Sequence, residues 1–96
     1  MVKMKLFKSI DEKFKEIGFE KIEENKHGAI YHRQSKCGYN HVVDIVYKVN
    51  GYPIVQSYDK DLMDAGKHGN IGVGLTAYEM KLCLKKMKEM GWKIKK

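Results

Sequence analysis

The chain has 96 residues, 43% of them hydrophobic, and a formal net charge of +7 from 19 lysines and arginines against 12 acids. This length predicts one domain, residues 1–96. No apolar run approaches the ~20 residues of a membrane span, no signal-peptide pattern is present, and the two cysteines form no C-x-x-C pair. A cytoplasmic protein that does not enter a membrane is therefore expected.

The first predicted element is a helix over residues 4–17. Its apolar residues recur at helical spacing: Phe7, Ile10, Phe14 and Ile17. Gly18 favours a Schellman ending in which Phe19 folds back onto Phe14. The start stays open, because Ser9 and Glu12 also form a capping-box pattern and residues 2–6 alternate as in a short strand.

Four strands are predicted next, over residues 19–24, 28–34, 42–49 and 52–58. Asn50-Gly51 separates the last two and suits a two-residue type I′ turn. That turn would set Ile45 opposite Gln56 and Val43 opposite Tyr58. The side chains expected to face the helices are then Val43, Ile45, Tyr47, Val49, Tyr52, Ile54, Gln56 and Tyr58.

Residues 59–74 are predicted to form a loop before a second long helix. Thr76 is its expected N-cap, Glu79 closes a capping box, and Gly91 ends the helix so that Trp92 folds onto Met87. The predicted buried stripe is Ala77, Met80, Cys83, Leu84, Met87 and Met90.

The order α-β-β-β-β-α predicts an α+β fold. Strands joined by short connections favour an antiparallel four-stranded meander. Both helices need an apolar surface, and the sheet offers one good apolar face, so a two-layer sandwich with both helices on one face is expected.

The C-terminal region is rich in lysine. Residues 81–96 contain seven lysines and one acid, Glu89. Lys81, Lys85 and Lys88 share one helix side, with Tyr78 one turn earlier. Together with Lys86 they form a candidate binding face for the phosphate backbone of RNA or DNA, or for an acidic protein. A merely solvated helix face is the alternative.

A second candidate is the glycine-rich loop before the last helix, since a helix N-terminus can bind an anion. Its residues are Lys67, His68, Gly69, Gly72 and Gly74. Tyr31, Arg33 and Lys48 form a third candidate, a base-stacking surface on the sheet face away from the helices.

No metal or cofactor is predicted. Asp59, Asp61 and Asp64 lack the spacing of a calcium loop, and His32, Cys37 and His41 lack a fourth zinc ligand. Cys37 with a neighbouring histidine as its base is a further possibility that no local signature supports.

The chain resembles small uncharacterised proteins of Gram-positive bacteria and their phages. The similarity lies in Lys5-Leu6-Phe7 through Ile17-Gly18-Phe19, in the tyrosine-rich strands, and in Leu75-Thr76 through Gly91-Trp92. It implies this fold and a mobile-element origin, and it implies no activity.

A looser similarity is to double-stranded-RNA-binding folds, including HicA-type toxins that cleave messenger RNA. Here Gly18-Phe19 and then Asn25-Lys26-His27-Gly28 correspond to the toxin pattern, without its glycine-serine. The resemblance implies His27 as general acid or base if the protein is a ribonuclease.

The sequence thus favours a small basic, non-enzymatic binding or accessory protein of phage or mobile-element origin. Its partner would be a nucleic acid, or a host or phage protein such as a component of a defence system. The alternatives are a HicA-like ribonuclease and a homodimer whose interface is its function.

Overall fold

The structure, a computed structural model, describes residues 8–34, 38–47, 51–66 and 71–92. The elements are α1 (Ile10–Glu16), β1 (Glu20–Asn25), β2 (Gly28–Gln34), β3 (Asn40–Tyr47), β4 (Pro53–Asp59), α2 (Lys60–Asp64) and α3 (Ala77–Glu89). The strands form one antiparallel sheet in the order β1-β2-β3-β4. The predicted α+β meander is confirmed, with the short α2 as an addition inside the predicted 59–74 loop.

One hydrophobic core lies between the sheet and the two longer helices. Phe14 of α1 stacks on Tyr31 of β2, with ring centroids 4.1 Å apart. Residues of α3 and of the sheet complete the cluster: Leu82, Cys83, Met87, Ala29, Val43 and Ile45. Since α1 and α3 share this core, they cover the same sheet face, as predicted.

The start of α1 follows the Ser9 alternative. Ser9 has an extended backbone and its Oγ accepts a hydrogen bond from the Glu12 amide at 3.1 Å, so the helix begins at Ile10. The expected start at residue 4 is therefore wrong. Residues 1–7, where the short-strand alternative falls, lie outside the described residues.

Both long helices end in the predicted Schellman geometry. In α1 the Phe19 amide donates to the Phe14 carbonyl at 3.0 Å, and Gly18 has a φ of +95°. In α3 the Trp92 amide donates to the Met87 carbonyl at 3.0 Å. Phe19 is buried and Trp92 packs against the core, so each ending adds an aromatic ring to the layer between helices and sheet.

The register of β3 against β4 differs from the prediction by one residue. Ile45 pairs with Val55 instead of Gln56. The last described pair is Tyr47 with Pro53, which leaves five residues between them. In a hairpin with a two-residue turn, the number of residues between any two paired residues is even, so the predicted turn does not fit this pairing. Gly51 has a φ of +85°, the left-handed conformation that ends odd-numbered hairpin loops.

This slip turns every β4 side chain over, because side chains alternate along a strand. Val55 and Ser57 pair with the core-facing residues of β3 and so lie toward the helices. Ile54, Gln56 and Tyr58, which were expected there, lie on the opposite surface, hereafter the outer sheet face.

The buried side of α3 is rotated from the predicted stripe. Its buried residues are Glu79, Leu82, Cys83, Lys86 and Met87. Met80 and Leu84, expected in the core, are 50% and 47% exposed. The difference arises because two charged side chains are buried with ionic partners, and hydrophobic periodicity places charged residues outside.

Lys86 is the centre of a buried ionic cluster, hereafter the Lys86 junction. Its side chain is 1% exposed, and its Nζ atom lies 2.7 Å from Glu24, 3.0 Å from Glu89 and 3.2 Å from Asp11. The Asp11 carboxylate also accepts from the Tyr31 hydroxyl at 2.5 Å. Burial alone would lower the pKa of Lys86, but bonds to the three carboxylates raise it, so the ammonium stays charged.

Arg33 forms a second polar contact between the layers. Its guanidinium donates to the Ile17 carbonyl at 3.1 Å, pairs with Glu79 at 2.9 Å, and lies 4.2 Å from the centre of the Phe19 ring. Arg33 thereby joins the end of α1 to the start of α3.

The base-stacking hypothesis is wrong for Arg33 and for the buried Tyr31, and Lys48 lies outside the described residues.

The two edges of the sheet differ. On the outer edge of β4, the Asp59 amide donates to Ile71 and the Val73 amide donates to Ser57. Strand β1 is exposed along its whole length, and its register shifts between Lys21 and Glu23 at a bulge.

Replacing Gly91 with alanine should destabilise the protein by ~1 kcal/mol. The φ of Gly91 is +80°, and an added Cβ would meet no atom within 4 Å, so the cost is backbone strain alone. Gly74→Ala is the matched control, since its Cβ also meets nothing within 4 Å and its φ is not left-handed. Urea denaturation should show a loss for Gly91→Ala only, and equal effects would contradict the Schellman assignment.

Lys86→Met should destabilise the protein by roughly 2–3 kcal/mol, because Glu89 loses its described ionic partner and Asp11 and Glu24 keep only the more exposed Lys21. This loss is smaller than the ~3–5 kcal/mol expected when one partner of a fully buried ion pair is removed, because the acids are 34–47% exposed and partly screened by solvent. Lys85→Met, one residue away and outside the junction, should leave stability nearly unchanged. Chemical denaturation measures both, and a neutral or stabilising Lys86→Met would show that the junction does not hold the fold.

Candidate functional site: a cationic surface on the helix layer

The outward side of α3 carries most of the predicted lysine face. Lys81 and Lys88 are exposed, Lys85 is partly exposed, and Tyr78 is 47% exposed one turn before Lys81. These four positions lie on the helix side that faces away from the core, as the spacing predicted. Lys86 does not belong with them, because the Lys86 junction encloses it.

A lysine of α1 completes this surface. Lys13 and Lys81 both lower the pKa of Lys85 by electrostatic repulsion, so three cations from two helices stand close together. Lys13, Lys81, Lys85 and Lys88 are hereafter the cationic helix surface. None of the four forms an ion pair with any residue in the described ranges. The surface therefore presents positive charge that the described part of the protein does not neutralise.

Sequence reasoning missed Lys13 because its role depends on how α1 docks against α3. Met80 and Leu84 were also missed as surface residues. Both are half exposed and lie on the same outward side of α3 as Lys81. The site thus combines cations with apolar side chains.

The glycine-rich loop is described only in part. Lys67, His68 and Gly69 lie outside the described residues. Gly72 pairs with Tyr58 on the edge of the sheet, and an alanine Cβ at Gly74 would meet open space.

The start of α3 already holds a carboxylate. The Thr76 amide donates to Glu79 Oε1 at 2.9 Å, and the Glu79 amide donates to Thr76 Oγ1 at 3.1 Å. The capping box is confirmed, and it occupies two amides that a bound phosphate would otherwise use.

His27 lies in the β1–β2 turn and is exposed. Its amide donates to the Asn25 side chain at 2.7 Å. His27 also lines a depression of about 180 Å³ on the outer sheet face, with Glu23 and Asp44 among the other lining residues. A histidine and two carboxyl groups are therefore near one another, on the side of the sheet opposite the cationic helix surface.

His41 and Ser57 resemble a catalytic pair by distance alone. Ser57 Oγ is 2.6 Å from His41 Nε2, and Arg33 Nη2 is 3.2 Å from His41 Nδ1. Because a guanidinium only donates, Nδ1 must accept and the ring proton lies on Nε2. Nε2 then donates to Ser57 and cannot remove its proton, so this geometry excludes a nucleophile–base pair.

The cysteines offer no nucleophile in the described ranges. Burial, with a smaller contribution from Glu79, raises the pKa of the Cys83 thiol to about 12, so it is not a thiolate at neutral pH. Cys37 lies outside those ranges. His32 is hydrogen-bonded to Asn40 at 3.0 Å.

The aspartates at the end of β4 and in α2 have structural roles. Asp59 caps α2 by accepting from the Asp61 amide at 2.9 Å, and Asp61 accepts from the Asn40 side chain at 2.8 Å. The residues that the structure describes contain no group of three or more metal-ligating side chains placed to hold an ion. Across the same ranges, no helix combines the length and the apolar character needed to span a bilayer.

Comparison of the chain with family models, with curated proteins and with solved structures gave no match in any of the three.

The free energy of unfolding should fall below pH ~6.5, because the fold holds His41 in its neutral form. Burial lowers the pKa of His41 below its ordinary 6.5, and Arg33 lowers it further. The unfolded chain therefore takes up the proton first, and stability falls as pH drops below 6.5, with a slope of at most ~1.4 kcal/mol per pH unit.

Denaturation at pH 7.5 and pH 5.5 measures this effect. In His41→Gln the amide can still accept from Arg33 and donate to Ser57, but it cannot titrate, so this component of the pH dependence should disappear. His27→Gln, at an exposed turn, should keep it. An unchanged pH dependence in His41→Gln would contradict the assignment.

Proposed function

We propose that the protein is a non-enzymatic binding protein that holds the phosphate backbone of a nucleic acid on its cationic helix surface. The observation that carries the proposal is the position of Lys85, which stands beside Lys13 and Lys81 so closely that both depress its pKa. Lysines held together without acidic partners create a local positive potential, and phosphates relieve the repulsion while condensed counterions are released.

Four lysines outside this surface are used differently. Lys8, Lys21, Lys60 and Lys86 each form ion pairs with carboxylates. The contrast supports a binding role for the cationic helix surface, since the fold neutralises these four lysines and leaves that surface positive. Tyr78, half exposed beside it, adds an aromatic ring on which an unpaired base can stack.

An acidic protein is the second candidate partner. Met80 and Leu84 are half exposed beside the lysines, and apolar contacts of this kind suit a protein surface better than a phosphate backbone. The resemblance to phage proteins favours a host or phage protein, such as a defence-system component.

The association constant K for nucleic acid should fall as salt is added, so that log K decreases linearly with the logarithm of the salt concentration. If all four lysines contact phosphates, the slope should be about −3.6 on duplex DNA and about −2.8 on single strands. The combined change of Lys13, Lys81, Lys85 and Lys88 to glutamine should abolish this slope without unfolding the protein, since these side chains lie outside the core. Fluorescence anisotropy with labelled DNA and RNA, from ~50 mM salt upward, measures the slope.

The control carries glutamine at Lys26 and Lys60, which are exposed and lie away from the cationic helix surface. It should bind like the wild type. Absence of binding at ~50 mM salt, where phosphate contacts are strongest, would overturn the nucleic-acid proposal and leave the acidic protein partner.

The ribonuclease alternative has its own test. Purified protein is incubated with RNA, and the incubation is repeated with His27→Ala. We expect the RNA to stay intact in both. Degradation that disappears in His27→Ala would overturn the binding proposal and assign a general acid or base to the depression that His27 shares with Glu23 and Asp44.

A further inference from the structure

The outer sheet face carries an apolar groove on the side opposite the cationic helix surface. Its volume is about 370 Å³, and it is lined by Ile22, Ile30, His32, Val42, Tyr58 and Lys60. His32 and Tyr58 both pair with Val42, so these three side chains form one row across the sheet. Ile30 also lines the neighbouring depression that contains Val46, so the apolar surface continues along the strands.

Ile22 is the most exposed apolar side chain of this surface. It lies at the β1 bulge and is 60% exposed. A bulge redirects a side chain, and here it leaves an isoleucine at the margin of an apolar groove. Both features are typical of a surface that contacts another molecule.

The described residues of this face carry a charge opposite in sign to that of the whole chain. By register, Glu20 lies beside His32 and Glu23 beside Ile30, so two exposed acids border the groove along β1. Lys60 at the other margin is paired with Asp64. In a chain of net charge +7, the described residues of the outer sheet face present apolar side chains next to uncompensated acids. A phosphate backbone would be repelled here, and a cationic partner would be attracted.

The size of the face selects the kind of partner. Four strands at ~4.8 Å spacing and strands of seven residues at ~3.3 Å rise give a surface of about 20 by 23 Å, roughly 450 Å². A stable dimer usually buries ~800 Å² per partner, so the face is small for a second copy of this chain. One helix is ~10–12 Å wide and reaches 23 Å in about 15 residues, which fits the groove and its margins.

We propose that the outer sheet face binds a cationic amphipathic helix of a partner protein. The apolar stripe of that helix would cover Ile22, Ile30 and Val42, and its basic residues would lie beside Glu20 and Glu23. This site is separate from the cationic helix surface, because the two lie on opposite layers of the sandwich.

The test uses two synthetic helical peptides of about 16 residues that share a leucine stripe. One carries lysine on its polar face, and the matched peptide carries glutamate at the same positions. NMR titration of the ¹⁵N-labelled full chain should show shifts around Ile22, Ile30 and Val42 with the lysine peptide. Its affinity should exceed that of the glutamate peptide at this face by about tenfold or more.

Variants locate the binding. Ile22→Ser should lower the affinity for the lysine peptide by about tenfold or more, since it removes an exposed apolar contact. Glu23→Lys should also lower this affinity, because it places a positive charge beside the lysines of the peptide. Leu84→Ser is the matched control, because Leu84 is 47% exposed on the helix layer, and it should have no effect. The variant with glutamine at Lys13, Lys81, Lys85 and Lys88 should keep peptide binding, so this proposal and the nucleic-acid proposal fail independently.

Three outcomes would overturn the inference. The first is equal affinity of the two peptides at the outer sheet face, or affinity that Ile22→Ser does not change. The second is a dimer in sedimentation equilibrium that Ile22→Ser dissociates, which would assign the face to a second copy. The third is a change in the NMR chemical shifts of Ile30 and Val42 on addition of single-stranded RNA, which would assign the face to nucleic acid.

Discussion

A single buried ammonium group determines how the layers of this protein meet. Lys86 of α3 binds carboxylates from α1, from β1 and from its own helix, and Asp11 extends the contact to Tyr31 of β2. A lysine removed from water is unfavourable unless every hydrogen is used, so these elements must come together in one arrangement. Lys86 and Asp11 are 75 residues apart in the chain. The same docking of α1 on α3 brings Lys13 beside Lys85, so the core contact that fixes the fold also builds the cationic helix surface.

The features that could be predicted from sequence depend on neighbours within a few residues. Thr76 and Glu79 form a capping box whatever the rest of the chain does, and Gly18 and Gly91 can take a left-handed conformation that other residues resist. The four consecutive strands could be recognised from the alternation of apolar and polar residues and from the turn residues between them. For the same reason Lys81, Lys85 and Lys88 were correctly placed on one helix side, because their relation is set by the helix itself.

The remaining features depend on contacts between distant residues. Hydrophobic periodicity treats Glu79 and Lys86 as surface positions, yet each is buried by a partner elsewhere in the fold, and the buried side of α3 rotates accordingly. The β3–β4 register depends on whether a loop around Asn50-Gly51 is even or odd, and the dipeptide is compatible with both. Lys13 joins the candidate site only through helix docking. The outer sheet face acquires Tyr58 only through the one-residue register shift.

The unequal edges of the sheet affect its resistance to aggregation. An exposed strand edge is a template on which further strands can add, and this process leads to fibrils. Residues 71–73 occupy the outer edge of β4. Strand β1 has no described partner on its outer side, but its bulge interrupts the regular hydrogen-bonding row, and its charges, Glu20, Lys21, Glu23 and Glu24, make a second copy of the strand costly to align. One edge is thus covered and the other is irregular and charged, so the meander can stay open without polymerising.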